Sequence, residues 1–327
     1  MKILLSSNKE IIREYIKEDA KIGFIATASE LDDDRWYMEK DKKDLIDMKF
    51  NLIRESKMLK NEIFDCHCHF VDKKDFECYK KTAIATKFLN VRSINSENLT
   101  KPYKFETFED EKDMFFTEAI DLYNLEEELI RVEENLKNNN RIVAIKIYLG
   151  YQSFYANDER IHRVAELAKK YGVSVVFHCG ETWSPDDESE NKDQYSDAKY
   201  IEDLAIRFKD VNFIGSHLNW PNFDNIFNLC EKYENVFTCI SGCLDATDRK
   251  ERDEQVDYVI TILNKYLIKY PNLKNKLMYG TDFFPEDIAY MDVSDYIKII
   301  KGLELKEEEK EKILSTNIYS AYKKLIK

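Results

Sequence analysis

Short apolar runs alternate with longer amphipathic segments along most of the chain. From residue 62 onward, the runs with the length of buried strands are EIFDCHCH, TAIAT, IVAIKIYL, VSVVFHCG, VNFIGSH, NVFTCIS and KLMYGTDFF. Most are separated by segments with helical periodicity, such as DERIHRVAELAKKYG and FDNIFNLCEKYE. Short strands that alternate with helices predict βα units and a parallel sheet.

One more strand is expected near DMFFTEAIDL, where helical and extended patterns compete. Eight βα units in about 265 residues have the size of a (β/α)8 barrel. Two polar stretches, roughly 93–111 and 184–198, predict long βα loops that could cover an active site. We therefore predict an α/β protein with a (β/α)8 TIM barrel over residues 59–327.

The first 58 residues follow a shorter rhythm. Apolar stretches at residues 2–5 and 22–28 predict strands, and the charged segment after each predicts a helix. We expect residues 1–58 to form a small α/β appendage to the barrel.

Composition narrows the possible partners. Hydrophobic residues make up 43% of the 327 residues, which is enough for a large core, and the net charge is −13. An acidic chain repels phosphate backbones and anionic lipid, so a small-molecule substrate is expected rather than nucleic acid or membrane. The seven cysteines form no CxxC pair and no export signal is apparent, which favours a cytoplasmic protein with reduced thiols. A homodimer is a further expectation.

Histidines mark the ends of the predicted strands. Four of the five histidines lie at carboxyl ends: His67 and His69 on the first strand, His178 on the fifth and His217 on the sixth. Asp282 follows the last strand. In a closed parallel barrel those ends form a single rim, so these side chains should meet there. Imidazole and carboxylate groups suit zinc or a similar divalent ion.

Strand alternation predicts which side chains of DCHCH face the site. A period of two places Asp65, His67 and His69 on one face, and Cys66 and Cys68 on the other. We expect the first face to line the barrel and the cysteines to face the surrounding helices.

The motifs together resemble the amidohydrolase superfamily, most closely its amidohydrolase-related branch of hydrolases and decarboxylases. DCHCH, AIKIY, HCGE, SHLNWP and GTDFFP match in order and spacing, and the resemblance covers about residues 62–327. It implies a divalent metal held by His67, His69, His178 and Asp282, with one zinc ion favoured and manganese as the alternative. It also implies that His217 lies near the reacting group.

The resemblance implies hydrolysis of an amide, ester or lactone bond of a small molecule by a metal-activated water. Asp282 would accept the proton of that water, and His217 would polarise the carbonyl or stabilise the oxyanion. Lys146 could be a carboxylated lysine bridging two metals, a substrate contact, or a lysine paired with an acidic neighbour. Decarboxylation of a small carboxylated aromatic uses the same ligands and stays open.

A third activity and the substrate pocket depend on residues beside these motifs. Glu181 in HCGE resembles the glutamate that protonates the ring in adenosine-type deaminases, but TDFF lacks their second consecutive aspartate. That activity therefore ranks below hydrolysis. The residues expected to shape the pocket are Tyr148, Tyr151, Trp183, Asn219, Trp220, Arg249, Phe283 and Phe284.

The N-terminal segment resembles a different family. MKILLSSN and DRWYMEKDKKDLIDMKFNL are similar to the opening of the peptidase E family over about 55 residues. The nucleophile of that family lies later, in a Gly-x-Ser-x-Gly-like turn that this sequence lacks. Peptidase activity is therefore not expected.

Overall fold

The computed structural model describes residues 21–22, 51–52, 62–85, 88, 90–99, 102–182, 192–284 and 293–326. The chain divides into two units, Met1–Lys60 and Asn61–Lys327. In the first unit, Lys21–Ile22 and Asn51–Leu52 pair in parallel. The other strand and helix positions predicted for residues 1–58 lie outside the described residues.

The second unit is built on eight parallel strands. They are β1 (Glu62–Cys68), β2 (Asn90–Ser96), β3 (Met114–Ala119), β4 (Ile142–Ile147), β5 (Ser174–Phe177), β6 (Phe213–Gly215), β7 (Val236–Cys239) and β8 (Leu277–Met278). Each strand pairs with the next in parallel. A parallel bridge pairs Cys68 of β1 with Phe283, in the segment that follows β8. This confirms the predicted (β/α)8 barrel.

Helices follow the strands and cover the outside of the barrel. They are α1 (Lys73–Ala85), α2 (Leu125–Asn138), α3 (Glu159–Tyr171), α4 (Ile201–Arg207), α5 (Phe223–Lys232), α6 (Arg249–Lys269), α7 (Val293–Gly302), α8 (Glu307–Glu311) and α9 (Asn317–Ala321). The connection between β2 and β3 contains the 3-10 helix Phe105–Phe108. Within the described part of the chain, no helix is both long and apolar enough to cross a membrane.

The second strand lies elsewhere than predicted, whereas the strand expected near DMFFTEAIDL is confirmed as β3. Residues 82–85 of TAIAT form the last turn of α1 rather than a strand. The strand lies instead at β2, whose second half, residues 93–96, falls in the stretch predicted as a polar loop. Its polar side chains are buried and bonded: Asn95 accepts from the Phe70 amide at 2.8 Å and donates to the Phe70 carbonyl at 2.9 Å. Tertiary bonding therefore hides this strand from a hydrophobicity pattern.

Strict alternation fails in β1. The register between β1 and β2 shifts between Asp65 and Cys68, as in a β-bulge. Before the shift, the Asp65 carboxylate faces α1, where it accepts the Tyr79 hydroxyl at 2.8 Å. Cys66 lies among apolar side chains of β5, β6 and β7. The predicted faces of Asp65 and Cys66 are therefore wrong, because the extra residue reverses the parity just before His67.

The C-terminal segment closes the amino ends of the strands. Tyr322, just after α9, packs into the same apolar cluster as the inner side chains of the strands. Ser174 and Asn212, at the start of β5 and just before β6, donate side-chain hydrogen bonds to the Ala321 carbonyl at 2.7 and 2.9 Å. The floor of the barrel is therefore apolar and covered, which leaves the opposite end for polar groups.

Candidate metal centre

Three potential ligands meet at the carboxyl ends of β1 and β8. The Nε2 atoms of His67 and His69 each lie 3.2 Å from Oδ1 of Asp282. The three candidate ligand atoms lie within 4.8 Å of one another. Among the described residues, this is the group of histidine, cysteine or acidic side chains arranged to hold a metal ion. Two imidazoles and one carboxylate suit zinc or manganese.

Electrostatics keep Asp282 and His67 in forms that bind a cation. Burial acts to raise the pKa of Asp282, but His217, His67 and His69 outweigh it and hold the pKa well below its usual range. Burial, aided by the charge of Lys146, lowers the pKa of His67. At neutral pH the carboxylate is therefore ionised and the His67 imidazole neutral, as metal binding requires.

The backbone is strained where two strands meet the rim. Asp282 has a φ of 62°, and His217, Leu218 and Asn219 have φ of 59°, 51° and 56°. Such left-handed conformations cost about 1–3 kcal/mol each outside glycine and concentrate at functional sites. The Asp282 amide donates to the His67 carbonyl at 2.7 Å, which holds the strained turn against β1.

His178, the fourth predicted ligand, lies beside the group of three without joining it. Its ring centroid is 4.8 Å from that of His217. Its Nε2 lies 2.9 Å from the carbonyl oxygen of Glu181. Because a carbonyl only accepts, Nε2 carries a proton, and Nδ1 is left with the lone pair. Burial lowers the pKa of His178 well below its ordinary value, so the ring is neutral.

His217 also lies beside the group. Its ring centroid is 5.0 Å from that of His67. Burial lowers the pKa of His217 to about 4, although the charge of Asp282 acts in the opposite direction. Nδ1 lies 3.0 Å from the carbonyl oxygen of Ser241. The proton is therefore on Nδ1, and Nε2 is an acceptor.

Lys146 lies next to the group of three. Its Nζ is 3.4 Å from Nε2 of His67 and 3.3 Å from Oγ of Ser216. Burial lowers its pKa to about 8. An ammonium group at this distance would repel a cation held by His67, so metal binding favours a neutral or carboxylated Lys146.

Three of the predicted pocket residues surround the rim. Tyr148 and Tyr151 flank the His178 ring, with centroid distances of 6.4 and 4.9 Å. Phe284 stacks on the His69 ring at 4.1 Å. These rings make an aromatic wall beside the candidate ligands.

Two others are engaged in the framework. Oδ1 of Asn219 accepts from the Ala198 amide at 2.7 Å, and Nδ2 donates to the Asn222 carbonyl at 2.8 Å. Phe283 packs edge-on against Tyr79 of α1 at 5.4 Å, in the layer between barrel and helices. The structure thus places Phe284, rather than Phe283, against the site.

The other predicted site residues lie away from the group of three or outside the described residues. Arg249 makes a two-fold contact with the buried carboxylate of Asp295, at 3.0 Å for each oxygen. Trp220 packs on α5 and α6. The Glu181 side chain is exposed. Trp183 lies outside the described residues.

Ser241 and Gly242, just after β7, were missed from the sequence. Gly242 has a φ of 64°. A Cβ there would lie 2.6 Å from Nδ1 of His217 and 3.1 Å from Oδ2 of Asp282. Their only sequence signal is position, since Ser241 ends the predicted strand NVFTCIS and Gly242 follows it, much as His217 ends VNFIGSH.

The architecture defines a TIM-barrel protein with a potential metal site on its carboxyl rim. A family model described as amidohydrolase matches residues 109–324, more than half of the chain. The protein therefore belongs to the amidohydrolase family. No curated protein matches the sequence.

Solved structures share the barrel at low sequence identity. An uncharacterized TIM-barrel protein from Bordetella bronchiseptica is 14% identical with a TM-score of 0.58, covering 81% of this chain and 100% of that one. An amidohydrolase from Burkholderia multivorans with bound zinc is 12% identical with a TM-score of 0.57, covering 80% and 99%. A 5-carboxyvanillate decarboxylase from Novosphingobium aromaticivorans, complexed with manganese, is 10% identical with a TM-score of 0.52, covering 80% and 96%. These likenesses establish the fold.

Proposed function

We propose that the protein is a metal-dependent hydrolase that cleaves an amide, ester or lactone bond of a small molecule. The observation that carries the proposal is the convergence of His67, His69 and Asp282, whose candidate ligand atoms lie within 4.8 Å of one another. The bound zinc of the Burkholderia multivorans amidohydrolase supports a divalent ion in a barrel of this kind.

The donor set fits such an ion. Nε2 of His67 and Nε2 of His69 both approach the same carboxylate oxygen of Asp282. Deprotonated for ligation, both nitrogens would present lone pairs to that anionic oxygen, an arrangement that calls for a cation. When bound, a divalent ion would supply Lewis acidity towards a water molecule and a substrate carbonyl.

The residues of the chain supply proton transfer and orientation. Asp282 is ionised at neutral pH and has a second oxygen, so it can accept a proton from the attacking water and return it to the leaving group. His217 presents an acceptor nitrogen, Nε2, which suits orienting that water better than the expected polarisation of a carbonyl. Tyr148, Tyr151 and Phe284 would hold a flat substrate against the rim.

Decarboxylation of a small carboxylated aromatic is the second candidate. The aromatic wall favours a planar ring, and the manganese-complexed neighbour is a 5-carboxyvanillate decarboxylase. The deaminase alternative has less support, since the Glu181 side chain is exposed and its carbonyl binds His178.

Metal content tests the proposal directly. Elemental analysis of protein reconstituted with zinc or manganese should give about one ion per wild-type chain and a large loss in Asp282→Asn. Asparagine tolerates the left-handed backbone at this position. Asp210→Asn, at an exposed side chain, is the matched charge control and should keep its metal. A folded wild-type protein that takes up neither ion would overturn the proposal.

A panel of amides, esters, lactones and carboxylated aromatics then separates the two candidate reactions. Hydrolysis products support the first candidate. Carbon dioxide release would replace it with the second.

A further inference from the structure

Ser241 contacts two histidines of the candidate site, His67 and His217. It is buried, and Ile240 separates it from the end of β7. Its Oγ lies 3.1 Å from Nδ1 of His217 and 3.5 Å from Nδ1 of His67. Its carbonyl oxygen lies 3.0 Å from Nδ1 of His217. One residue therefore reaches the Nδ1 atoms of a proposed ligand and of its proposed catalytic neighbour.

The carbonyl fixes the tautomer of His217. A carbonyl oxygen has no proton to give, so the hydrogen bond exists only when His217 carries its proton on Nδ1. The backbone holds this arrangement, because His217 begins a run of three left-handed residues and Gly242 leaves room for its ring.

The hydroxyl suits the needs of His67. In the metal-free chain, Nε2 of His67 can donate to Asp282, and Nδ1 then accepts from Ser241. Ligation through Nε2 requires the proton on Nδ1, and the Ser241 oxygen must then accept. A hydroxyl both donates and accepts, so it can serve either tautomer, whereas a methyl group serves neither.

We propose that Ser241 is a positioning residue that fixes the tautomer of His217 through its carbonyl and supports metal ligation by His67 through its hydroxyl. The inference rests on the proposed metal site. His69 offers a contrast, since within the described residues its buried Nδ1 has no hydrogen-bond partner. The proposed ligand His67 therefore has an outer hydrogen-bond partner, the Ser241 hydroxyl, that a mutation can remove.

Zinc affinity tests the hydroxyl. Loss of such an outer partner typically weakens metal binding about 10–100-fold, so Ser241→Ala should bind zinc at least about 10-fold less tightly in competition with a chromophoric chelator. Ser241→Thr keeps the hydroxyl and should restore most of the affinity. Ser174→Ala removes a buried hydroxyl at the opposite end of the barrel and should bind zinc like wild type. Equal affinity in Ser241→Ala and wild type would overturn the role of the hydroxyl.

Histidine tautomers test the same residue without activity or metal. In metal-free protein labelled with ¹⁵N-histidine, long-range ¹H–¹⁵N spectra should show His217 protonated on Nδ1, in wild type and in Ser241→Ala alike, because the carbonyl is present in both. His217→Asn assigns the signal. A proton on Nε2 of His217 would overturn the role of the carbonyl. Failure of wild type to bind either zinc or manganese would instead overturn the proposed function together with the role of the hydroxyl, and the His217 tautomer would then test the role of the carbonyl alone.

Discussion

The two ends of the barrel bury polar groups in opposite ways. At the amino ends, a side-chain amide is hydrogen-bonded to the backbone: Asn317 donates to the carbonyl oxygens of Lys274 and Leu277, at 2.9 and 2.7 Å. At the carboxyl ends, His67 and His69 converge on one carboxylate, and the backbone is left-handed at Asp282. The floor pairs this amide with backbone carbonyls, whereas the rim keeps charge and strain that a ligand could relieve.

The contrast separates stability from chemistry. Floor substitutions should lower the free energy of unfolding and leave zinc binding intact. Rim substitutions should impair zinc binding or turnover at a smaller cost in stability, because strained sites are stabilised by the rest of the fold.

The largest effect is expected at His217. His217→Asn should reduce turnover about 10²–10³-fold, since it removes the acceptor that orients the nucleophile. Asparagine tolerates a left-handed backbone, so folding should be retained. Zinc should stay near one ion per chain, because His217 lies outside the group of three. Steady-state kinetics on a substrate from the panel, with elemental analysis, checks both parts, and loss of zinc would make His217 a ligand.

The next prediction concerns a cluster of charged side chains on α6 and α7. These helices follow β7 and β8, but the cluster stabilises the fold and is not part of the candidate metal site. The buried carboxylate of Asp295 in α7 accepts from Arg249 and Arg252 of α6 and from Lys298, at 2.8–3.0 Å. Removing one partner of a buried ion cluster costs about 3–5 kcal/mol. Asp295→Asn should therefore lower the free energy of unfolding by about 3 kcal/mol with zinc affinity unchanged.

The same variant should show a defined pH dependence. Burial acts to raise the pKa of Asp295, but Arg249, Lys298 and Arg252 outweigh it and the pKa is lowered. A lowered folded pKa gives stability that is complete above the unfolded value, about 4, and is lost as pH falls through the folded pKa. Denaturation measured from neutral to acidic pH should show the difference between wild type and Asp295→Asn shrinking below about pH 4. A constant difference would contradict this sign.

Much of the rim was predictable because polar side chains at strand ends are informative. His67 lies at the end of β1, and His69 and Asp282 follow β1 and β8. A closed parallel barrel brings all such strand ends together. What the sequence could not show is how each side chain is bonded. For example, Nε2 of His178 lies 2.9 Å from the carbonyl oxygen of Glu181, and no sequence motif predicts that hydrogen bond.

The errors have a common cause in tertiary contacts. Asn95 satisfies its amide on the backbone of Phe70, so a polar segment forms β2. A single extra residue in β1 reverses the faces of Asp65 and Cys66. The need for glycine at position 242 comes from the limited space beside the His217 ring, which no local sequence pattern reveals.

The floor supplies a smaller effect. Asn317→Ala leaves the carbonyls of Lys274 and Leu277 without their donor, and unsatisfied buried groups cost about 1–3 kcal/mol. We expect a loss of about 2 kcal/mol in the free energy of unfolding by chemical denaturation, with zinc affinity unchanged. Asn275→Ala removes an exposed amide nearby and should be close to neutral. A loss of zinc binding in Asn317→Ala would erase the contrast between the two ends.

The smallest effect comes from two glycines with the same backbone and different neighbours. Gly242 and Gly172 have φ of 64° and 63°, so alanine should strain each by a similar amount, about 1 kcal/mol. Gly172 ends α3, away from the rim. At Gly242 the added methyl meets Nδ1 of His217 at 2.6 Å and must displace the ring or the Asp282 carboxylate.

The pair therefore separates backbone strain from crowding at the site. Gly242→Ala should unfold at a lower denaturant concentration than Gly172→Ala, because its methyl adds crowding to the shared backbone strain. Gly242→Ala alone should bind zinc about 10-fold more weakly. Equal zinc affinity in the two variants would mean that the rim adjusts to the methyl without cost. The candidate site would then depend on the identity of its ligands rather than on the tight placement that Gly242 permits.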